Sequence, residues 1–234
     1  MSSIIWTPRA VASSAAPYNL DAWRAVEAQH IAATTKLVDS TPEQAILEEI
    51  LDETKPPRPR ESASTDYLLW TPFRYRAPKG GSRFRAEADP GVFYAADETR
   101  AACAELGYWR WRFLKETEAF DSFGPVAHTV FQVRVRGTGV DLRRKPFSRD
   151  ATLWTSPTDY AATQAFARVS REANLAVIRY QSVRDPKHGG CVAVLRPDAF
   201  SPRKPVTRQT WFLTVNRTAS IWRRDTESFD FRWA

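Results

Sequence analysis

Apolar and polar positions change period several times along the chain, and each change marks a predicted element. From Asp21 to about Thr34, the residues Ala22, Ala25, Val26, Ile31 and Ala32 fall near helical spacing and predict a first helix. A second is signalled by Thr41 as N-cap, Pro42 at the first helical position and Gln44 closing a capping box. It runs to about Glu53, with Ala45, Ile46, Ile50 and Leu51 as its apolar stripe and Glu48, Glu49, Asp52 and Glu53 opposite. The run Lys55-Pro56-Pro57-Arg58-Pro59-Arg60 stops that helix and has a linker's composition. Residues 1–62 therefore read as a helical extension with its linker, and residues 63–234 as the main domain.

Beyond the linker, strands outnumber helices. Tyr67–Tyr75 is aromatic and β-prone, and Val92–Tyr94 is a short strand after a Pro90-Gly91 turn. Asp97 is placed to cap a helix running to about Leu114. On it Ala102, Leu106, Trp109 and Phe113 recur at helical spacing and are expected to face the core. Thr129–Arg136 alternates, with Phe131, Val133 and Val135 on one face, and Gly137-Thr138-Gly139 reads as a turn into Val140-Asp141-Leu142. Ser156-Pro157-Thr158-Asp159 is a capping box that opens a helix to about Glu172. Leu175–Tyr180 and Cys191–Leu195 read as buried strands, and Thr210–Val215, Ala219–Arg223 and Phe229–Trp233 as closing ones. The prediction is an α+β domain, a strand-rich core with flanking helices, behind an N-terminal helical extension.

Charge sharpens this picture. The chain carries a net +7 over 234 residues. Residues 1–62 hold six Lys/Arg against nine Asp/Glu, or −3, which leaves +10 on the rest. Such a field draws phosphates, acidic protein surfaces or nucleic acid. Cys103 and Cys191 form no CxxC and read as small buried apolar residues; His30, His128 and His188 are scattered. No metal site or hydrolytic triad is expected. Ile4-Ile5-Trp6 before Pro8 is too short for a signal-peptide core, and no apolar run is long enough to span a bilayer, so a cytoplasmic location without a membrane partner is expected.

Candidate chemistry lies at Arg83, Tyr94 and Glu105, spaced at equal steps, with Ser182 far downstream. Gly80-Gly81-Ser82-Arg83 can wrap an anion, although the same residues suit a plain hairpin turn and match no Walker A or G-x-G-x-x-G pattern. Glu105 is flanked by Ala101 and Ala102, which leave space, and by Tyr108 and Trp109, which lower hydration; the alternative is a surface carboxylate paired with Arg110 or Arg112. A cation, an aromatic plate and a carboxylate are what is needed to hold a dinucleotide and break its cationic N-glycosidic bond. The base of such a bond leaves as a neutral ring, so the barrier lies in the ribosyl oxocarbenium, which Glu105 can oppose. Arg83 can fork onto a phosphate or ribose oxygen. Tyr94 can stack on the leaving ring, and Ser182 can bond the ribose or a carboxamide on that ring and orient Glu105. Tyr180, two residues before Ser182 on a strand, shares its face and is a secondary candidate. A reading from a different class is a nucleic-acid-binding module that stacks bases on Tyr108-Trp109-Arg110-Trp111-Arg112.

Taken in order, Arg83, Tyr94, Glu105, the stretch Ala176–Asp185 around Ser182 and the closing Gly189-Gly190-Cys191-Val192-Ala193-Val194-Leu195-Arg196-Pro197 resemble the RES domain family. Leu153-Trp154-Thr155-Ser156-Pro157-Thr158-Asp159-Tyr160 adds to that resemblance, which covers about Asp66 to Phe200. The loop Arg85-Ala86-Glu87-Ala88-Asp89 departs from it, being more charged than the family's Trp-Asn type. The resemblance implies a fold similar to NAD-dependent ADP-ribosyltransferase toxins, with NAD as substrate and no metal. It also implies the toxin role in a type II toxin–antitoxin pair, with an Xre-like antitoxin as partner. Members either degrade NAD by hydrolysis or phosphorolysis or transfer ADP-ribose to a host protein. Mono-ADP-ribosyl transfer comes first here, because a long extension and a basic surface give room for a macromolecular acceptor.

Overall fold

The computed structural model describes residues 6–28, a few positions between 40 and 56, and residues 64–233. Helix α1 (Pro8–Ser13) leads into strand β1 (Ala16–Glu27). Helix α2 (Tyr67–Arg74), strand β2 (Phe93–Ala96), helix α3 (Thr99–Glu116) and the long strand β3 (Ser122–Asp141) follow. Then come α4 (Ala151–Trp154), α5 (Ala161–Glu172), β4 (Val177–Gln181) and β5 (Gly190–Val194). A meander of β6 (Thr207–Asn216), β7 (Ser220–Arg224) and β8 (Glu227–Phe231) completes the described fold. The architecture is α+β, as predicted.

All eight strands share one sheet, ordered β1-β2-β5-β4-β3-β6-β7-β8, and β1 also pairs with β3. Five strands, β1, β2, β5, β4 and β3, thus pair in a closed circuit, and the meander extends from β3. Length lets β3 serve three partners: β6 over residues 122–132, β1 over 128–139 and β4 over 139–141.

The helix predicted from Asp21 to about Thr34 is instead strand through Glu27. Twelve residues of β1 pair in register from Ala16↔Gly139 to Glu27↔His128. Leu20, Ala22 and Val26 join Phe131, Val133 and Val135 on one side, and Trp23 and Ala25 pack on the other. A ladder of that length outweighs weak helix propensity. The rest of that prediction, the Pro-rich linker apart from Pro56, and most of Thr41–Glu53 lie outside the described residues; the described positions from 42 to 50 are helical.

Three further expectations change. Tyr67–Arg74 is helix, not strand: Asp66 accepts from the Leu68 amide at 3.0 Å, and Leu68, Leu69 and Trp70 are buried. Gly137 and Gly139 continue β3 instead of turning. A Cβ on Gly139 would sit 2.3 Å from the Val177 carbonyl oxygen, so glycine there serves close strand approach. Asp97 does not cap α3; Glu98 occupies that position, and Asp97 accepts from Arg179 at 2.5 Å.

Helix α3 also rolls away from its predicted orientation. Cys103, Ala104, Gly107, Trp111 and Leu114 are its buried face, packed with Trp211, Leu213, Trp222 and Phe231 of the meander. Trp109 and Phe113, expected in the core, are 46% and 55% exposed. Small residues decide the packing: a Cβ on Gly107 would lie 2.5 Å from Ser220 Oγ and 3.0 Å from Trp222 Nε1. Gly107→Ala gains about 1 kcal/mol of helix propensity, but overpacking against two buried side chains costs about 1–3 kcal/mol. Urea unfolding should show a lowered midpoint, and an unchanged or raised midpoint would mean that α3 is free to lift off the sheet.

Candidate active site

Helix α3, the ends of β1 and β2, and the loop Gly80–Arg83 enclose a cavity of about 760 Å³, within the usual range for small-molecule sites. Arg83, Tyr94, Glu105 and Tyr180 all line it. Ala102, Leu106, Trp109 and Phe113 line it too: Ala102 is buried in the core as predicted, while Trp109 and Phe113 form exposed cavity wall.

Glu105 is half-buried and its Oε1 accepts from Ser182 Oγ at 2.5 Å. Cys191 Sγ approaches the same oxygen at 3.9 Å, while Oε2 has no hydrogen-bond partner among the described residues. Desolvation raises the Glu105 pKa, and the Ser182 bond and the charges of Arg83 and Arg184 only partly offset it. Ser182 is fully buried and does not reach the cavity wall. Its Oγ accepts from the amides of Arg184 at 3.2 Å and Asp185 at 2.9 Å. Of the two roles expected for Ser182, the geometry provides the orienting of Glu105 and not the substrate contact.

Arg83 is 9% exposed, donates to the Trp154 carbonyl at 2.9 Å and lies 4.8 Å over the Tyr160 ring. The loop before it does not wrap an anion with its amides, because these are spent internally. Gly80 N donates to Glu87 Oε1, Gly81 N to the Pro78 carbonyl and Ser82 N to the Arg85 carbonyl, with Gly80 and Gly81 at φ +81° and +74°. The cation beside this loop is the Arg83 guanidinium. Tyr94 pins this loop: its hydroxyl pairs with Ser82 Oγ at 2.8 Å and accepts from Phe84 N at 2.9 Å, while burial raises its pKa and keeps it neutral. Tyr180 is held neutral in the same way and packs edge-on against Phe84 at 4.8 Å.

Three cavity residues escaped the sequence reading. Arg184 donates to the Tyr160 hydroxyl at 3.2 Å and to the Pro157 carbonyl, and lies 3.9 Å over the Tyr108 ring. Tyr160 and Arg184 both stand inside the quoted motifs, so their positions could have been weighed. Arg24 could not, because its segment read as helix. β1 and β2 pair only at Trp23↔Ala96, and beside that point Arg24 Nη1 donates to the Tyr94 carbonyl at 2.7 Å. Its buried Nε has no partner, and desolvation pushes its pKa down to about 10. Among the described residues, Arg24, Arg83 and Arg184 each lack a carboxylate within ion-pair distance. These three unpaired guanidiniums, with Lys79 and the Glu116-paired Arg112, thus face a cavity whose carboxylates are Glu105 and Glu116.

A model of the RES domain matches residues 55–216. The chain belongs to the RES domain family. No curated protein matches it. Among solved structures, the RES chain is similar to one in the crystal structure of the M. tuberculosis MbcT–MbcA toxin–antitoxin complex. The two are 13% identical over 85% of this chain and 86% of that chain, with a TM-score of 0.49. Arg24 and strands β7 and β8 lie outside the matched RES span.

The raised Glu105 pKa has a consequence for stability. Ionising this group costs more in the folded RES domain than in the unfolded chain. Its contribution to stability is therefore full below the ordinary value of 4.5 and is lost as pH rises through the higher folded value. Glu105→Gln removes that cost, so the variant should melt above wild type at neutral pH, with the gap narrowing as pH falls. A variant that melts lower at neutral pH would show that attraction to Arg83 and Arg184 outweighs desolvation.

Proposed function

We propose that this RES chain is the toxin of a type II toxin–antitoxin pair and cleaves NAD at the nicotinamide–ribose bond. One observation carries the reading: an oriented carboxylate shares a cavity with three guanidiniums that have no carboxylate partner of their own. Unpaired cations in a partly desolvated site suit a pyrophosphate. The C1′–N bond breaks with its electron pair going to the ring nitrogen, which turns the pyridinium into neutral nicotinamide. The positive charge left on the ribose meets Glu105, whose free Oε2 needs no rearrangement to face it. Tyr94 and Tyr180, both neutral, offer apolar faces to the departing ring.

The ADP-ribosyl group then passes to a nucleophile. A host protein is our first choice, since the +10 charge outside residues 1–62 offers a surface for an acidic acceptor. Phosphate or water is the second; of these, the unpaired Arg24 favours phosphate, an anionic nucleophile it can hold. An Xre-like antitoxin, implied by the family resemblance, restrains the enzyme in the cytoplasm, and neither a membrane nor nucleic acid enters this reading. Base stacking along Tyr108–Arg112 is disfavoured because Trp111 is buried while Trp109 is exposed, which breaks any continuous stacking strip.

Glu105→Gln should lower nicotinamide release about a hundredfold or more. Arg83→Ala should weaken NAD binding and turnover together. Ser182→Ala should lower turnover about tenfold through loss of its hydrogen bond to Glu105, about 1–2 kcal/mol, with NAD affinity kept. Expressed alone in bacteria, wild type should stop growth and Glu105→Gln should not; equal toxicity of the two would remove NAD chemistry as the cause. With NAD labelled in its adenylate half, label on a protein band supports transfer, and label only in free ADP-ribose or its phosphate supports degradation.

A further inference from the structure

Trp109 and Phe113 are large aromatics left 46% and 55% exposed, both on the cavity wall and both on the helix that carries Glu105. Large apolar groups gathered at a cavity mouth mark a contact surface, whereas scattered ones do not. A helix rises 1.5 Å per residue, so Trp109 lies about 6 Å and Phe113 about 12 Å beyond Glu105 along that wall. Beneath Glu105 the chain is closed by buried Ser182 and Cys191. A dinucleotide whose scissile bond sits at Glu105 must therefore run its other half outward, and the α3 wall offers aromatic surface for it. Arg184 lies 5.6 Å over the Trp109 ring, and Arg112, ion-paired to Glu116 at 2.7 Å, lies 5.8 Å over it. Tyr108 packs edge-on against Trp109 at 5.4 Å and holds the indole's orientation.

We propose that Trp109 is the platform on which the adenine base of the dinucleotide stacks, with the unpaired Arg184 beside the diphosphate that leads to it. The proposal rests on the reading of this cavity as an NAD site and assigns its outer half. Stacking suits the observed wall because an aromatic face binds a base without hydrogen-bond readout. The Arg184 guanidinium adds attraction for the diphosphate, which an apolar wall alone lacks. Nucleotide selection then depends on two separate regions: the charged floor around Glu105 for the ribosyl-nicotinamide half, and the Trp109 wall for the adenosine half.

Calorimetric titration of wild type, Trp109→Ala and Trp109→Phe with ADP and with nicotinamide mononucleotide tests this. ADP affinity should fall about five- to a hundredfold in Trp109→Ala, the span of base–aromatic stacking, and return largely in Trp109→Phe. Nicotinamide mononucleotide should bind all three alike. Equal ADP affinity in wild type and Trp109→Ala, with NAD still bound, overturns the adenine platform alone. Parallel losses for both ligands overturn it too, since they mean that the substitution deforms the cavity. A wild type that binds neither NAD nor ADP removes the underlying reading of the cavity as well. If Trp109→Ala keeps ADP binding and loses only capture by the antitoxin, the wall is a protein-docking surface and the proposal fails.

Discussion

A hydroxyl group has one proton to donate and two lone pairs to fill, and at Ser182 both lone pairs are already taken. The amides of Arg184 and Asp185 occupy them, so the proton is directed to Glu105 Oε1. The turn that enforces this is itself anchored. Burial would raise the Asp185 pKa, but the Arg100 ion pair and the amides of Lys187 and Gly189 outweigh it and hold Asp185 ionised. From that chain of bonds follow the orientation of Glu105, the freedom of its second oxygen and the placing of Arg184 against Tyr108 of the same helix. A motif that looks like a single serine is therefore a short backbone turn with one bonding solution.

Around that carboxylate the fold tolerates an electrostatic cost. Three guanidiniums are held by carbonyl oxygens and aromatic faces rather than carboxylates: Arg24 by Tyr94, Arg83 by Trp154 and Tyr160, and Arg184 by Pro157 and Tyr108. Carbonyls satisfy N–H groups without cancelling charge, so the cavity keeps a positive potential that ion pairs would have quenched. Elsewhere the opposite holds: Arg179 and Arg143 meet Asp97, and Arg143 also meets Asp141. The contrast separates arginines that staple the sheet from those that remain available to a ligand.

Sequence reading went furthest where a local rule sufficed. The alternation in Thr129–Arg136 identified part of β3, and the apolar runs Leu175–Tyr180 and Cys191–Leu195 located β4 and β5. It went astray where distant partners decide. Residues 21–27 carry a near-helical pattern, yet their partner is a strand more than a hundred positions away, with Asp21 and Arg134 separated by 113 residues. On α3 the bulky residues suggested the buried face, while the true one is built from Ala104 and Gly107, whose smallness matters only once Trp222 is beside them. Arg83, Tyr94 and Glu105 were legible and do line one cavity; Arg24 was hidden behind the misread strand, and Trp109 behind the misread helix face.

Pieces of the site come from most of the chain's length. Arg24 lies near one end of the described residues, Glu105 in the middle, and Ser182 and Arg184 later still. Trp233, near the other end, donates its indole N–H to the Arg184 carbonyl at 2.7 Å. No contiguous half of the polypeptide contains the set. A chain emerging during synthesis presents Glu105 well before the hydroxyl that orients it and the indole that braces Arg184. β1 meanwhile waits for residues 128–139 before it can pair, and such non-local pairing is slow because loop closure precedes its reward. The cavity's full set of side chains therefore comes together only after Arg184 and its bracing Trp233 have joined the fold, so timing is written into the topology.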